Sequence, residues 1–137
     1  MLKKSNILGI DYGDKRVGVA IVADGVAVPR LLPTLQNDTS LLDQLKTIAE
    51  QRQIERIVVG LPRSLSGDET AQTKNVRSFA KELEAKLNLP VDFQDEALTS
   101  VGAEQTLKNG GGAYEKSDID SLAASQILLD YIGEPKN

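Results

Sequence analysis

The sequence predicts an α/β domain that opens with an antiparallel meander. Three observations carry this. Apolar runs at Ile7 to Asp11, Val17 to Ala23 and Val26 to Leu35 are separated by short turns, and Asp24-Gly25 is a strong hairpin dipeptide. Helical stripes then alternate with short apolar runs, giving three strands, helix, strand, helix, strand, helix, helix. Neither repeats nor a linker divide the 137 residues, so positions 1–137 form one domain, long enough to bury about two thirds of its unfolded surface.

Each element has its own signal. Asp38, Thr39 and Ser40 offer N-caps to a helix whose Leu41, Leu42, Leu45, Ile48 and Ala49 make one apolar stripe. Arg56 to Gly60 is a continuous apolar run of the kind covered on both faces. The helix from Asp68 to Leu87 spaces Val76, Phe79, Ala80, Leu83 and Leu87 as a buried face. Val91 to Asp95 is a fifth strand; Thr99 or Ser100 caps the next helix, and Ser117 starts the last. Asn109-Gly110-Gly111-Gly112 lacks the Gly-Lys-Ser/Thr of a Walker loop and reads as a helix end followed by a connection.

Composition narrows the chemistry. There is no cysteine and no histidine, so disulfides, thiolate metal sites and imidazole catalysis are excluded. Any catalysis runs on carboxylates, lysines, hydroxyls or a hard cation held by oxygen. The run Met1 to Asn6 has no signal-peptide character and no apolar run approaches the length of a membrane span, so a cytoplasmic protein off the membrane is expected. Sixteen Lys and Arg against 20 Asp and Glu give a net charge of −4, unlike a plain nucleic-acid binder. Divalent cations held by clustered acids would reverse the local sign.

Asp11 ends the first strand, ahead of Gly13 and the cations Lys15 and Arg16. It is placed for chemistry, with an Asx turn as the competing reading. Asp95-Glu96 ends the fifth strand; alternation puts Asp95 on the face of Val91 and Phe93 and Glu96 on the other, with a helix-dipole role as the rival. Asp120 starts the row Ala123, Ala124, Ile127, Tyr131, where an acid is costly unless a cation compensates it, and it also fits a capping box with Ser117. A trio of acids from a first strand, a later strand end and a final helix is what two-metal phosphoryl chemistry needs, and it needs no histidine.

The segment Gly9 to Ala20, Val59-Gly60-Leu61-Pro62 with Gly67, Asp95-Glu96-x-Leu98-Thr99 and Asp120-Ser121-Leu122-Ala123-Ala124 with Ile127-Leu128 resemble the YqgF/RuvX family of bacterial proteins. The four blocks span nearly the whole chain. The resemblance implies an RNase H-like fold, a five-stranded mixed sheet whose first three strands are antiparallel, flanked by helices. It implies a nuclease of the cytoplasm that matures the 5′ end of pre-16S ribosomal RNA or, in another reading, resolves Holliday junctions. Carried over by position, the catalytic and metal-holding acids are Asp11, Glu96 and Asp120, with two Mg2+ or Mn2+ ions expected. Asp11 would bridge both ions and the other two acids would each hold one.

The chain departs from the family at Ala97, where arginine is usual. Lys15, Arg16 and Arg63 are the candidate replacements for contact with substrate phosphates, although each also reads as an ordinary surface cation. Four partners or roles follow as expectations: pre-16S rRNA, branched DNA cut by a two-fold dimer, pre-ribosomal particles bound without catalysis, and an ATP-binding module. The last draws on Gly-Ile-Asp-x-Gly, but that fold needs two such domains. The oligomeric state is left open between monomer and homodimer.

Overall fold

The computed structural model describes residues 6–23, 28–62, 70–95 and 116–133, with side chains of the last helix described for 121–132. The elements are β1 (Asn6–Tyr12), β2 (Arg16–Ala23), β3 (Arg30–Gln36), α1 (Leu41–Gln51), β4 (Ile54–Leu61), α2 (Ala71–Leu87), β5 (Val91–Asp95) and α3 (Lys116–Gly133). The five strands form one sheet in the order β3-β2-β1-β4-β5. β1, β2 and β3 pair antiparallel, and β1, β4 and β5 pair parallel. This is the expected mixed sheet, with β1 at its centre.

Alternation along β1 assigns the two layers. Leu8 and Ile10 join Val19, Ile57, Val59, Leu45, Val76, Phe79 and Leu83 in a core beneath α1 and α2. Ile7 joins Ala20, Val22, Val58, Ala124, Ile127, Leu128 and Tyr131 beneath α3. β4 therefore contributes to both cores, as its unbroken apolar run requires. Fully burying side chains of this size contributes roughly 1.5–3 kcal/mol each.

The expected stripes of α1 and α2 face the core. Leu41, Leu45 and Ala49 are buried, as are Val76, Phe79, Ala80 and Leu83. Some boundaries, and the manner of one cap, differ from expectation, and α2 begins at Ala71 after the extended Thr70 and not at Asp68. β3 begins at Arg30, because Pro29 has no N–H for the ladder and Val28 is three-quarters exposed. α1 begins at Leu41 with Ser40 as N-cap, but the cap is not made by the Ser40 side chain. Instead, Asp38 accepts hydrogen bonds from the Ser40 amide (2.9 Å) and hydroxyl (2.5 Å), an Asx turn just ahead of the helix.

α2 has a reciprocal cap that the residue pattern did not lead us to expect. The Thr70 hydroxyl accepts from the Thr73 amide, and the Thr73 hydroxyl accepts from the Thr70 amide while donating to the Pro62 carbonyl just past β4. The Asp24-Gly25 turn, the helix capped by Thr99 or Ser100 and the Asn109 to Gly112 stretch lie outside the described residues.

Candidate active site at the carboxylate end of the sheet

Asp11 is the sixth residue of β1, paired with Gly18 of β2 and half-buried. Leu8 and Ile10 point to the α1 and α2 layer, so the strand period puts Ile7, Gly9 and Asp11 on the α3 face. Gly9 is where α3 crosses: a Cβ there would lie 2.5 Å from Leu128 Cγ and 3.0 Å from the Ala124 carbonyl oxygen. Only glycine lets the helix come so close to the central strand.

The direction of α3 follows from its two anchors. At its C-terminal end the Tyr131 hydroxyl donates to Asp92 (2.5 Å) and accepts from Arg56 (2.9 Å), at the beginnings of β5 and β4. At its other end the Ser121 hydroxyl donates to the Leu32 carbonyl (2.7 Å) and lies 3.0 Å from the Thr34 hydroxyl, on β3. Val19 of β2 pairs with both Leu32 and Ile10, and Val17 with both Leu35 and Tyr12. Ser121 is thus docked at the level of Ile10 and Asp11. α3 runs diagonally over the sheet, its first turns at the end of β1 that carries the carboxylate.

Tight bracing holds the turn after Asp11. The Gly13 amide donates to the Arg16 carbonyl (3.0 Å), and a Cβ at Gly13 would sit 2.6 Å from that oxygen. Asn37 clasps the turn from both sides, its side-chain amide donating to the Gly13 carbonyl (2.8 Å) and its backbone amide to the Lys15 carbonyl (2.9 Å). The Gln72 amide donates to the Tyr12 carbonyl (3.3 Å), and the Tyr12 ring stacks on Phe79 with centroids 4.1 Å apart. The carbonyls of Tyr12, Gly13, Lys15 and Arg16 thus all accept hydrogen bonds, and the Lys15 side chain is exposed. Arg16 is half-buried at the start of β2.

Asn37 and Gln72 are positioning residues that sequence reasoning missed. Each stands many residues from the turn it braces, and no local pattern announces that pairing. An Asn directly after a strand, where the chain turns toward a helix, was the available hint. Beside it, the hydrogen bonds from Ser40 hold the Asp38 carboxyl below the usual carboxylate range.

The expected site residues fare differently. Asp11 is at the carboxylate end of β1, and position 120 is in the first two turns of α3, the end of the helix docked at the same level. Glu96 and Arg63 lie outside the described residues. Val91 and Phe93 pack toward the α2 layer while Asp92 bonds Tyr131 of α3, so β5 has the phase that the alternation required. β5 is two strands from β1, about 10 Å at the usual strand spacing, with its last residue Asp95 paired to Leu61 at the same end of the sheet. Among the described residues, no three carboxylates stand together as a metal site. The donors available at this end are carboxylate oxygens, which fit a hard divalent cation and not a soft one.

A mixed sheet in this strand order, with an acid near the end of its central strand and a helix packed diagonally over it, is an RNase H-like fold. The Thermus thermophilus protein solved as RuvC in complex with Holliday junction substrate shares it, with a TM-score of 0.59 at 16% identity over 93% of this chain and 94% of that one. The Thermus thermophilus RuvC structure gives a TM-score of 0.55 at 15% identity. The profile of the family RuvX, described as Holliday junction resolvase, matches residues 5–134, and the chain belongs to that family. It is 43% identical over 129 residues, 91% of this chain and 88% of the relative, to a protein of Methylobacillus flagellatus named "Putative pre-16S rRNA nuclease". A protein of Chloroflexus aggregans bearing the same name is 39% identical over 99% of both chains.

Proposed function

We propose that this chain is a metal-dependent nuclease that hydrolyses phosphodiester bonds, acting in the cytoplasm on the 5′ end of pre-16S rRNA. The observation that carries the reading is the position of Asp11. It stands one residue from the end of the central strand on the α3 face, half-buried, with its following turn clasped by Asn37 and with α3 docked at the same level through Ser121. A half-buried carboxylate beside a turn braced in this way is suited to charge stabilisation.

In this reading Asp11, Glu96 and Asp120 form the catalytic carboxylate set and would hold two Mg2+ or Mn2+ ions. When bound, such ions activate a water and stabilise the departing oxygen of a phosphodiester. Without such cations the three carboxylates would repel one another. Lys15, presented outward by the braced turn, and Arg16 and Arg63 would bind flanking phosphates in place of the arginine replaced here by Ala97. The family description and the relatives' names support nuclease chemistry, and the relatives' names favour RNA as substrate.

The family description and the fold likeness to RuvC favour a second reading, cleavage of four-way DNA junctions, which requires a two-fold dimer. The test is incubation of purified protein with a 5′-extended 16S precursor and with a synthetic four-way junction, each with Mg2+, Mn2+ or chelator. Metal-dependent cutting of the precursor supports the proposal, and cutting of the junction alone supports the resolvase. If neither is cut, and wild type and Asp11→Asn bind pre-ribosomal particles equally, the protein is a non-catalytic assembly factor.

A further inference from the structure

The net charge of −4 makes any run of cations conspicuous, and α2 carries one. Lys74, Arg77 and Lys81 follow one another at spacings of three and four, which puts them on one side of the helix with neighbours about 5–6 Å apart. The row spans about 10 Å of helix. Lys74 and Lys81 are exposed, and among the described residues neither makes an ion pair. No acid interrupts the side until Glu84 closes it.

Two features give the row direction and chemistry. It begins one residue after Thr73, whose hydroxyl is bonded to the Pro62 carbonyl at the end of β4, so Lys74 stands at the end of the sheet that carries Asp11. From there the row runs along the open edge of the sheet at β5, above a groove of about 140 Å³ lined by Arg77, Lys81, Glu84, Val91 and Phe93. The Arg77 guanidinium is held over the Phe93 ring, 5.4 Å from its centroid. That stacking fixes a flat cationic plate at the surface, a group on which an unstacked base can lie.

We infer that the Lys74-Arg77-Lys81 side of α2, with Phe93, is a second binding surface for a single-stranded stretch of RNA. The lysines would follow successive phosphates and the Arg77 plate would support a base, away from the reacting bond. This inference rests on the nuclease reading, extending its substrate beyond the carboxylates.

The test measures binding apart from cleavage. In an Asp11→Asn background, the affinity for a 5′-extended 16S precursor fragment is measured across a salt series in chelator. Lys74→Ala with Lys81→Ala should weaken binding by about tenfold or more at low salt. It should also lower the slope of log affinity against log salt by about two, one for each lysine that no longer meets a phosphate. Arg77→Lys should keep the slope but lose several-fold in affinity for single-stranded RNA, and not for a fully paired duplex. Lys81→Glu is compared with Lys46→Glu on α1, which changes net charge equally. Circular dichroism melts confirm that each variant is folded. An unchanged slope in the double variant, or equal losses for Lys46→Glu and Lys81→Glu, overturns the inference. Wild-type cleavage of the same fragment with Mg2+ is scored separately: its absence overturns the nuclease reading, whereas the binding series still decides whether α2 contacts RNA.

Discussion

Gly9 of β1 lies directly beneath Leu128 of α3, with room for a hydrogen and nothing larger: a Cβ would come within 2.5 Å of Leu128 Cγ. Because α3 is seated here, its N-terminal turns reach the carboxylate end of the sheet. Gly9→Ala should therefore destabilise the fold by about 2 kcal/mol, as overpacking does. For a domain of this length that is a Tm loss of roughly 5–10 °C. The second close approach, 3.0 Å to the Ala124 backbone oxygen, would persist in Gly9→Ala with Leu128→Ala. The double variant should still be less destabilised than the sum of its parts, by about 1 kcal/mol. Simple additivity in thermal melts would show that the helix does not rest on this glycine.

Asn37 is the test of whether the turn after Asp11 must be held. Asn37→Ala removes the donor to the Gly13 carbonyl, which sits near solvent and can be rehydrated, so stability should fall by only about 1 kcal/mol. Cleavage should fall more, on the order of tenfold to a hundredfold, since a small displacement of a reacting group is costly. Asn37→Asp cannot donate and should behave like the alanine variant. Loss of kcat with little change in KM distinguishes positioning from direct binding of substrate.

The Asp43 carboxyl on α1 is held below its ordinary value chiefly by a hydrogen bond from Lys86 of α2, 2.9 Å away. A depressed carboxylate stabilises the fold above its unfolded value, about pH 4, and that contribution is lost as pH falls through the lower folded value. Asp43→Asn should therefore lower the urea midpoint slightly at pH 7, and the difference from wild type should shrink as pH falls below the lowered folded value. The pair is exposed, so the difference should shrink in high salt. A gap between the two proteins that persists at low pH would assign the effect to packing.

Much of this architecture is legible in the sequence because it is local. The turn residues around Gly13, the stripes Leu41-Leu45-Ala49 and Val76-Phe79-Leu83, and the row Ala124-Ile127-Tyr131 are each written at a single period. What is not legible is long-range pairing between polar groups. Nothing in the pattern says that Asn37 reaches Gly13, that Gln72 reaches Tyr12, or that Tyr131 joins Arg56 to Asp92. The candidate site divides on the same line. Asp11 is marked locally by the apolar strand that leads to it, whereas Glu96 and Asp120 would gain meaning only if the fold brought them to the same place, a long-range property.

If Asp11, Glu96 and Asp120 cluster as proposed, they repel one another without cations, so Mg2+ or Mn2+ should raise the Tm above that in an equal ionic strength of monovalent salt. At a hundred times the dissociation constant the gain is about 2.7 kcal/mol. Asp11→Asn should reduce the gain and, in chelator, melt at or above wild type because one repelling charge is gone. No divalent-specific shift at saturating metal would count against a preformed site.

Substrate binding and the chemical step should separate at the turn after Asp11. Asp11→Asn should abolish metal-dependent cleavage while the fold and RNA binding persist, since the missing charge serves the reaction and not the grip. Lys15→Ala with Arg16→Ala should do the reverse, weakening RNA binding and flattening its salt dependence through fewer released counterions. Ala97→Arg restores the cation usual in the family and should tighten binding, most visibly in the Lys15 and Arg16 double variant, where a bidentate phosphate interaction replaces what was removed. If Ala97→Arg leaves affinity unchanged in both backgrounds while the double variant still loses binding, the phosphates run past the β1–β2 turn and not past position 97.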